Sequence, residues 1–328
     1  MWNIYFIDRN GNLVFWFRDK YNYLKYLDFD IKEIEWEKEF RVLNGSFVSI
    51  VLTKDGKLII NIDNSYGVYI LDFLKLQDPD YQGDYVDTDK QFYGSRIVVD
   101  EENQKAYLIA YPAPPWTLYE IDFSDINNIK VEALAQNVGS KIALLDSDRG
   151  ILYSVFGGSS NSEIYVTNLL TKKTDKIFSS SAPQSDFTLD WEGNVYFSDT
   201  KEKIFKITPQ QKGDNFNYSV KSILDLTEVL GHKTNHEYYF DKFVVDGKNN
   251  IYFYVIERQI KGTKIEYTGI YYLFSIKSNG EINWWETNLL LSSRFVPSDI
   301  VIGDKFLYLV GLEMEGNQWR NSALYAFR

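Results

Sequence analysis

The chain has 328 residues, of which 45% are hydrophobic and 25% charged, and these proportions are typical of a soluble globular protein. Its formal net charge of −11 disfavours nucleic acid and anionic membranes as partners, because phosphate groups are bound by clustered Lys and Arg side chains. The absence of cysteine excludes disulfides, and no apolar run approaches the roughly 18 residues that predict a membrane-spanning helix.

The first predicted element is a strand that starts at residue 3 and ends at Asp8, followed by a polar turn and a second apolar strand from Leu13. The same unit recurs along the chain. Its anchoring aspartates are Asp8, Asp55, Asp100, Asp146, Asp190, Asp246 and Asp304. They are separated by 47, 45, 46, 44, 56 and 58 residues. Aspartate accepts hydrogen bonds from the turn amides ahead of it, and Gly or Asn takes the positive-φ position of a tight hairpin.

Each unit offers two more strand-like runs, such as residues 23–29 and 33–40 in the first unit. Four antiparallel strands in every unit are typical of one propeller blade. A helical turn is predicted only near residues 226–230. The last unit supplies three strands and ends at residues 323–327.

The repeat predicts an all-β, seven-bladed β-propeller of four-stranded antiparallel blades, which forms a single domain over residues 1–328. The predicted blades are residues 3–44, 45–91, 92–137, 138–183, 184–240, 241–293 and 294–328. The last blade is expected to be three-stranded or closed by the N-terminus. We expect the ring to close by edge pairing between the first and last blades, and the fourth strand to have been removed with residues upstream.

The fifth unit resembles the repeat of NHL-type propellers, through Asp190-Trp191-Glu192-Gly193-Asn194-Val195-Tyr196-Phe197-Ser198-Asp199-Thr200. The first unit is similar, with Asp8-Arg9-Asn10-Gly11-Asn12. Residues 274–285, a strand, a glycine turn and a strand with Trp284 and Trp285, resemble quinoprotein-like repeats. The resemblance implies the propeller fold, on which unrelated functions occur.

The resemblance also implies that loops between second and third strands and between blades open on one functional face. Four stretches are predicted as unusual loops there: residues 111–116, 227–240, 256–268 and 313–321. Long loops in a compact fold are often functional. The candidate ligand-binding residues on them are Tyr111, Trp116, His232, His236, Tyr238 and Trp319.

A second candidate constellation lies near the starts of the innermost strands. In a closed ring these residues gather at the mouth of the central channel: Arg96, Lys141, Asp186, Asp241, Lys242 and Asp299. One interpretation is that polar strand-start residues only satisfy backbone amides around a water-filled channel. The other is a mouth of mixed charge that binds a small polar ligand or a cation.

Metal binding and nucleophilic catalysis have weak support. His232 and His236 are four residues apart, but Gly231 and Asn235 make a poor helix, so surface-loop histidines are favoured over metal ligands. No catalytic residue is predicted, since the chain lacks Cys and a Gly-x-Ser-x-Gly elbow. A two-carboxylate glycosidase stays open because carboxylate separation is a three-dimensional quantity.

The leading hypothesis is a non-enzymatic binding propeller that uses an aromatic, acidic loop face to bind a protein or a glycan, without a cofactor. The alternative is a metal-dependent hydrolase or lyase at the channel mouth, with Asp186, Asp241 and Asp299 near Ca²⁺ or another divalent cation. A scaffold subunit of a larger assembly is a third hypothesis. The N-terminal residues do not form a signal peptide, and the composition slightly favours an extracytoplasmic or surface location over the cytoplasm.

Overall fold

The structure is a computed structural model. It describes residues 2–7, 13–18, 22–28, 33–40, 47–62, 65–75, 78, 80–81, 83–92, 97–110, 116–125, 127–157, 162–180, 184–199, 202–286, 295–302, 307–315 and 318–327. In several strands, including those of the first sheet, only the backbone is described. These residues form antiparallel sheets in which consecutive strands are hydrogen-bonded neighbours.

The first three sheets have four strands each. Their strands are β1 (Trp2–Ile7), β2 (Leu13–Arg18), β3 (Asn22–Asp28), β4 (Glu33–Phe40), β5 (Phe47–Leu52), β6 (Lys57–Ile62), β7 (Ser65–Asp72), β8 (Asp84–Phe92), β9 (Val98–Asp100), β10 (Lys105–Ala110), β11 (Thr117–Asp122) and β12 (Lys130–Gln136). A 3₁₀ turn follows β7 at Phe73–Lys75.

The fourth, fifth and sixth sheets also have four strands, and the seventh has three among the described residues. Their strands are β13 (Lys141–Asp146), β14 (Ile151–Gly157), β15 (Ser162–Asn168), β16 (Lys173–Ser180), β17 (Gln184–Leu189), β18 (Val195–Asp199), β19 (Lys203–Lys212), β20 (Asn215–Asp225), β21 (His236–Val245), β22 (Ile251–Lys261), β23 (Lys264–Ile276), β24 (Ile282–Glu286), β25 (Phe295–Ile302), β26 (Leu307–Glu315) and β27 (Gln318–Phe327).

The predicted helical turn is confirmed as α1 (Leu226–Leu230), between β20 and β21. Its N-cap is Asp225, whose Oδ1 accepts a hydrogen bond from the Thr227 amide at 3.0 Å. None of the helices in the described ranges is long and apolar enough to cross a membrane.

The chain divides into two compact units, residues 1–156 with 165–175, and residues 157–164 with 176–328. In the first unit, the packing of β10 explains why the second strands of the sheets have apolar residues at consecutive positions. Ala106 and Leu108 pack with the second sheet, while Tyr107 and Ile109 pack with residues of the fourth. A strand that is covered on both faces needs apolar residues at every position.

The second unit repeats this arrangement around β22. Phe253 and Val255 pack with residues of the fifth sheet, whereas Tyr254 and Ile256 pack with Ile300 of the seventh. Aromatic rings fill much of this core, and Phe253 and Phe274 stack with centroids 5.0 Å apart. The high aromatic content therefore serves packing between sheets.

The turns between first and second strands show why aspartate recurs. Asp190 accepts hydrogen bonds from the amides of Glu192 at 2.9 Å and Asn194 at 2.8 Å. It also accepts from Asn194 Nδ2 at 2.8 Å and the Tyr196 hydroxyl at 3.0 Å. Asp246 makes the corresponding set in the sixth sheet. The side chain thus holds the whole turn in one conformation.

The second sheet departs from the predicted anchor. Thr53, not Asp55, occupies the turn position, since its Oγ1 accepts from the Lys57 amide at 2.9 Å and its own amide donates to the Lys57 carbonyl at 2.8 Å. The Thr53 hydroxyl donates to Asp55. A threonine oxygen accepts the same amide bond as an aspartate oxygen, so spacing alone misplaced the anchor by two residues. Asp8 and Asp304 lie outside the described residues.

The all-β architecture of four-stranded antiparallel sheets is confirmed. β21 begins at His236, five residues before the blade boundary predicted at residue 241. The closure of the sheets into one seven-bladed ring, and the single domain, stay predictions.

Candidate functional site at the start of the sixth sheet

The sixth sheet carries a connected group of ionisable side chains at the end where β21 begins. We call this the His236 end. There His236 pairs with Gln259 of β22, and β22 and β23 continue past it as a hairpin that turns at residues 262–263. The Ile260 amide donates to the Asn235 carbonyl at 2.6 Å, which ties the hairpin to the connection before β21.

A buried carboxylate lies at the centre of the His236 end. The Glu257 side chain is 1% exposed and accepts hydrogen bonds from Lys233 Nζ at 2.7 Å and the Tyr272 hydroxyl at 2.8 Å. Its other oxygen lies 2.5 Å from His236 Nδ1. Buried carboxylates are costly unless charge and hydrogen bonds compensate them, and three donors do so here.

Strand register explains how these residues meet. Glu257 pairs with Tyr238 of β21, and the pairing of β22 with β23 has an irregularity between Ile256 and Arg258. The Thr268 hydroxyl donates to the Glu257 carbonyl at 2.9 Å within this irregularity. Bulges of this kind redirect side chains, and here the carboxylate lies beside Tyr272 of β23.

The hydrogen bonds outweigh desolvation at this site. Burial raises the pKa of Glu257, but hydrogen bonds from Lys233, Tyr272 and His236 hold its pKa below the ordinary value. Burial together with the neighbouring carboxylate raises the pKa of Tyr272. Burial, Glu257 and Glu202 raise the pKa of Tyr238 to about 12. Glu257 is therefore an anion that accepts hydrogen bonds from the neutral Tyr272 hydroxyl, from Lys233 and from His236.

A second carboxylate supports the connection before β21. Glu202 accepts a hydrogen bond from the Tyr238 amide at 2.9 Å, and its own carbonyl accepts from the Leu226 amide at 2.9 Å. Burial raises the pKa of Glu202, although the bond from Tyr238 opposes the shift. The Tyr238 hydroxyl donates to the Gly231 carbonyl at 2.9 Å. These contacts join α1 to the start of β19 in the fifth sheet, and β21 of the sixth sheet to Glu202 and Gly231.

The opposite face of the same strands carries a half-buried ion pair. Arg258 Nη2 lies 2.9 Å from Glu237 Oε1, and the guanidinium stands 4.2 Å from the centroid of the Tyr239 ring. Stacking of a guanidinium on an aromatic ring adds a cation–π attraction to the ion pair. Both faces of the hairpin base are thus held by charged side chains.

The hairpin beyond β21 exposes apolar side chains. Ile260 and Ile265 are cross-strand partners that are 37% and 54% exposed. Lys261 Nζ and Glu266 Oε2 form an ion pair at 2.6 Å beside them. Isoleucine side chains that are exposed on a projecting strand pair are available for contact with a partner. The projecting hairpin is the main feature of the His236 end.

The structure brings together only part of the predicted ligand-binding set. His236 and Tyr238 lie at the His236 end, but in β21 and not on a loop, and the Tyr238 side chain is buried. His232 is exposed on the connection before β21. Trp116 lies elsewhere, half-buried, with its ring 5.0 Å from Phe156. Tyr111 lies outside the described residues.

Two further predicted loops are strands. Residues 256–268 form the β22–β23 hairpin, and residues 313–321 belong largely to β26 and β27. Trp319 is therefore in β27, where only the backbone is described. The charged residues of these stretches suggested loops, but alternate residues on a two-stranded hairpin face solvent and carry charge equally well.

The predicted channel-mouth residues fall on first strands or outside the described part. Lys141 is the first residue of β13 and is exposed, and Lys242 is half-buried in β21. Asp186, Asp241 and Asp299 lie in β17, β21 and β25, where their side chains are not described. Arg96 lies outside the described residues. Their gathering around a channel stays a prediction.

Metal ligation finds no support among the described side chains. In this part of the chain no group of three His, Asp or Glu residues is arranged to hold an ion. His236 directs Nδ1 to Glu257. The side chains of Asp186, Asp241 and Asp299 are not described, so a cation near them stays a prediction.

Sequence reasoning missed Lys233, Glu257 and Tyr272, which form most of the buried cluster. One signal was present: Glu257 is an acidic residue that ends an apolar run from Ile251, where a buried strand position was expected. A charged residue in such a run needs a partner, but several basic residues lie nearer to Glu257 in the sequence than Lys233, which is 24 residues away.

Comparison with known proteins identifies the fold class. No protein-family model matches the chain, and no curated protein matches its sequence. Solved structures do match. A protein from Lactobacillus plantarum has a TM-score of 0.55 at 13% identity, over 99% of this chain and 90% of that chain.

Two enzymes are similar to the same extent. A streptogramin B lyase has a TM-score of 0.55 at 15% identity, over 94% of this chain and 89% of that chain. An oligogalacturonate lyase in complex with manganese has a TM-score of 0.55 at 11% identity, over 99% of this chain and 81% of that chain.

The chain has a propeller-like all-β fold. The NHL-like and quinoprotein-like resemblance is thereby confirmed at the level of the fold. At these identities the likeness carries no activity, since propellers host both binding proteins and enzymes.

Proposed function

We propose that the protein is a non-enzymatic binding module and that a protein partner docks on the β22–β23 hairpin at the His236 end. The observation that carries this proposal is the exposed pair Ile260 and Ile265 on a hairpin that extends past its neighbouring strand. Apolar side chains exposed on a projecting element mark contact surfaces.

The base of the hairpin is rigid, which favours binding. Glu257 holds Lys233 and His236 against the sheet, and Arg258 pairs with Glu237 on the other face. A surface that is ordered before binding loses less conformational entropy when the partner docks. The proposal therefore centres on a firmly supported hairpin with an apolar tip, and the aromatic, acidic loop face stays a prediction.

Charge indicates the chemistry of the partner. Lys261 and Lys264 flank the isoleucine pair and outnumber Glu266, which pairs with Lys261, so the hairpin tip is net positive in a chain with a net charge of −11. A basic, apolar tip on an acidic protein is complementary to an apolar patch bordered by Asp or Glu. Such complementarity steers association and suppresses wrong partners.

The test places a photo-reactive amino acid at position 265 or, as a control, at position 170, where Leu170 is exposed in a turn of the fourth sheet. Cross-linked proteins are identified, purified and titrated against the chain. We expect Ile260→Ser with Ile265→Ser to weaken binding by at least about tenfold, and Leu170→Ser to leave it unchanged. Equal affinity of the double variant and the parent protein would overturn the proposal.

A metal-dependent hydrolase or lyase remains the second candidate, supported by the two lyases among the similar structures. In that case Asp186, Asp241 and Asp299 hold a divalent cation. Elemental analysis of the purified protein tests it: a stoichiometric metal that is lost in Asp186→Asn and Asp241→Asn supports the enzyme, and a metal content below one tenth of the protein contradicts it.

A further inference from the structure

Trp191 is an exposed aromatic residue that is held in one position. Its side chain is 76% exposed in the turn between β17 and β18. Its amide donates to Asn249 Oδ1 at 2.9 Å, and its indole Nε1 donates to the Asp246 carbonyl at 3.0 Å. Both partners belong to the corresponding turn of the sixth sheet, so the indole lies against that turn although it is open to solvent.

The two turns themselves are fixed. In the fifth sheet Asp190 accepts the hydrogen bonds described above from Glu192, Asn194 and Tyr196. In the sixth sheet Asp246 accepts from the amides of Lys248 at 2.8 Å and Asn250 at 2.9 Å. Trp191 is therefore attached at two points to a rigid support, and its orientation is set before any ligand arrives.

A ligand can contact Trp191 only through the face of its aromatic ring. The only donor of the indole ring is already bonded to Asp246, so the exposed part of Trp191 offers its π surface. The neighbouring turn residues Glu192 and Lys248 are exposed and polar, and their charges are opposite. A hot spot for a protein partner is usually enclosed by other packed side chains, whereas Trp191 is 76% exposed and is bonded to polar groups of the neighbouring turn.

The geometry points to a binding site for a neutral sugar ring, which stacks its C–H face on Trp191 while its hydroxyl groups bond to Glu192 and Lys248. Opposite charges on those two side chains leave the site without a net preference for an anionic sugar. This site goes beyond the proposed function, because the turn at residues 246–250 and the β22–β23 hairpin lie at opposite ends of β22.

The test uses neutral oligosaccharides as probes: tetrasaccharides of β-1,4-glucose, β-1,3-glucose, α-1,4-glucose and β-1,4-N-acetylglucosamine. Binding is followed by titration calorimetry and by tryptophan fluorescence. We expect at least one probe to bind, and Trp191→Ala to weaken that binding by at least about tenfold. The matched control is Trp285→Ala, since Trp285 is 53% exposed in β24 and should leave binding unchanged.

Two further variants separate the outcomes. Trp191→Phe keeps an aromatic face without the Nε1 donor and should retain part of the affinity, and circular dichroism with a melting curve checks that each variant is folded. The double variant Ile260→Ser with Ile265→Ser should bind the sugar with the affinity of the parent protein. The sugar site can therefore be confirmed even if no protein partner binds the hairpin. No binding of any probe, equal binding by Trp191→Ala, or a protein bound at Trp191 instead would overturn the assignment.

Discussion

Glu257 shows how one residue organises the start of the sixth sheet. Its buried carboxylate accepts from Lys233, which comes from the connection before β21, and from Tyr272, which comes from β23. His236 at the start of β21 completes the set. Three chain segments therefore meet at one anion. These contacts fix the base of the β22–β23 hairpin.

Removal of that charge should be costly. We expect Glu257→Gln to lower the free energy of unfolding by about 1.5–3 kcal/mol, because Lys233, His236 and Tyr272 lose a charged acceptor, although Lys233 is partly exposed to water. Urea unfolding followed by fluorescence measures the change. The control is Glu266→Gln, whose carboxylate pairs with Lys261 at the surface and should change stability by less than about 0.5 kcal/mol. Similar losses in the two variants would contradict the assigned role.

Two glutamates should give opposite pH dependences. The folded pKa of Glu257 is below its ordinary value of 4.5, so its contribution to stability is present above that pH and is lost as pH falls through the folded pKa. The folded pKa of Glu202 is above 4.5. The stability of the protein therefore decreases as the pH rises from the pKa of Glu202 in the unfolded chain to its pKa in the folded protein.

Unfolding curves between about pH 3 and pH 7 compare the two variants with the parent protein. We expect the free energy of unfolding of Glu257→Gln to fall less steeply than that of the parent protein as the pH is lowered. Glu202→Gln, which keeps an acceptor for the Tyr238 amide, should gain stability relative to the parent protein as pH rises. Parallel curves for all three proteins would show that neither carboxylate has a shifted pKa.

At the scale of elements, the turn between first and second strands is the repeated device of the chain. In the fifth sheet one buried aspartate satisfies two amides, an amide side chain and a tyrosine hydroxyl. In the second sheet the same backbone turn forms around Thr53, and Asp55 is a partly exposed neighbour. Equivalent turns therefore differ in how much they depend on aspartate.

The difference between the two turns can be measured. We expect Asp190→Ala to destabilise the protein by about 2–4 kcal/mol, because several buried donors lose their acceptor. Asp55→Ala should cost less than about 1 kcal/mol, since its ion pair with Lys57 is partly exposed. Thermal or urea unfolding of the two variants gives the comparison. An effect of Asp55→Ala as large as that of Asp190→Ala would mean that the anchor was wrongly reassigned to Thr53.

At the scale of the whole molecule, the net charge of −11 sets the response to salt. Uncompensated surface carboxylates repel one another, whereas buried pairs such as Glu257 with Lys233 are screened much less. Raising NaCl from about 20 mM to about 200 mM shortens the screening length from roughly 20 Å to roughly 7 Å.

We therefore expect the free energy of unfolding to rise over this salt range at neutral pH. Urea unfolding at fixed temperature measures it, with sodium sulfate excluded because that salt strengthens apolar burial by a separate route. A fall in stability with NaCl would indicate that attractive surface pairs, such as Lys261 with Glu266, outweigh the excess negative charge.

Sequence by itself determined the all-β class, the strand pattern of the units, the short helix at Leu226–Leu230 and the aspartate turns at Asp190 and Asp246. These depend on neighbours within a few residues, through side-chain caps and the period of two along a strand. Only the tertiary structure decided that Glu257 meets Lys233 and Tyr272, which lie 24 and 15 residues away. It also decided that Trp191 is fixed by the turn of the next sheet. Contacts of that kind depend on strand register and sheet packing, which side-chain identities along one segment do not specify.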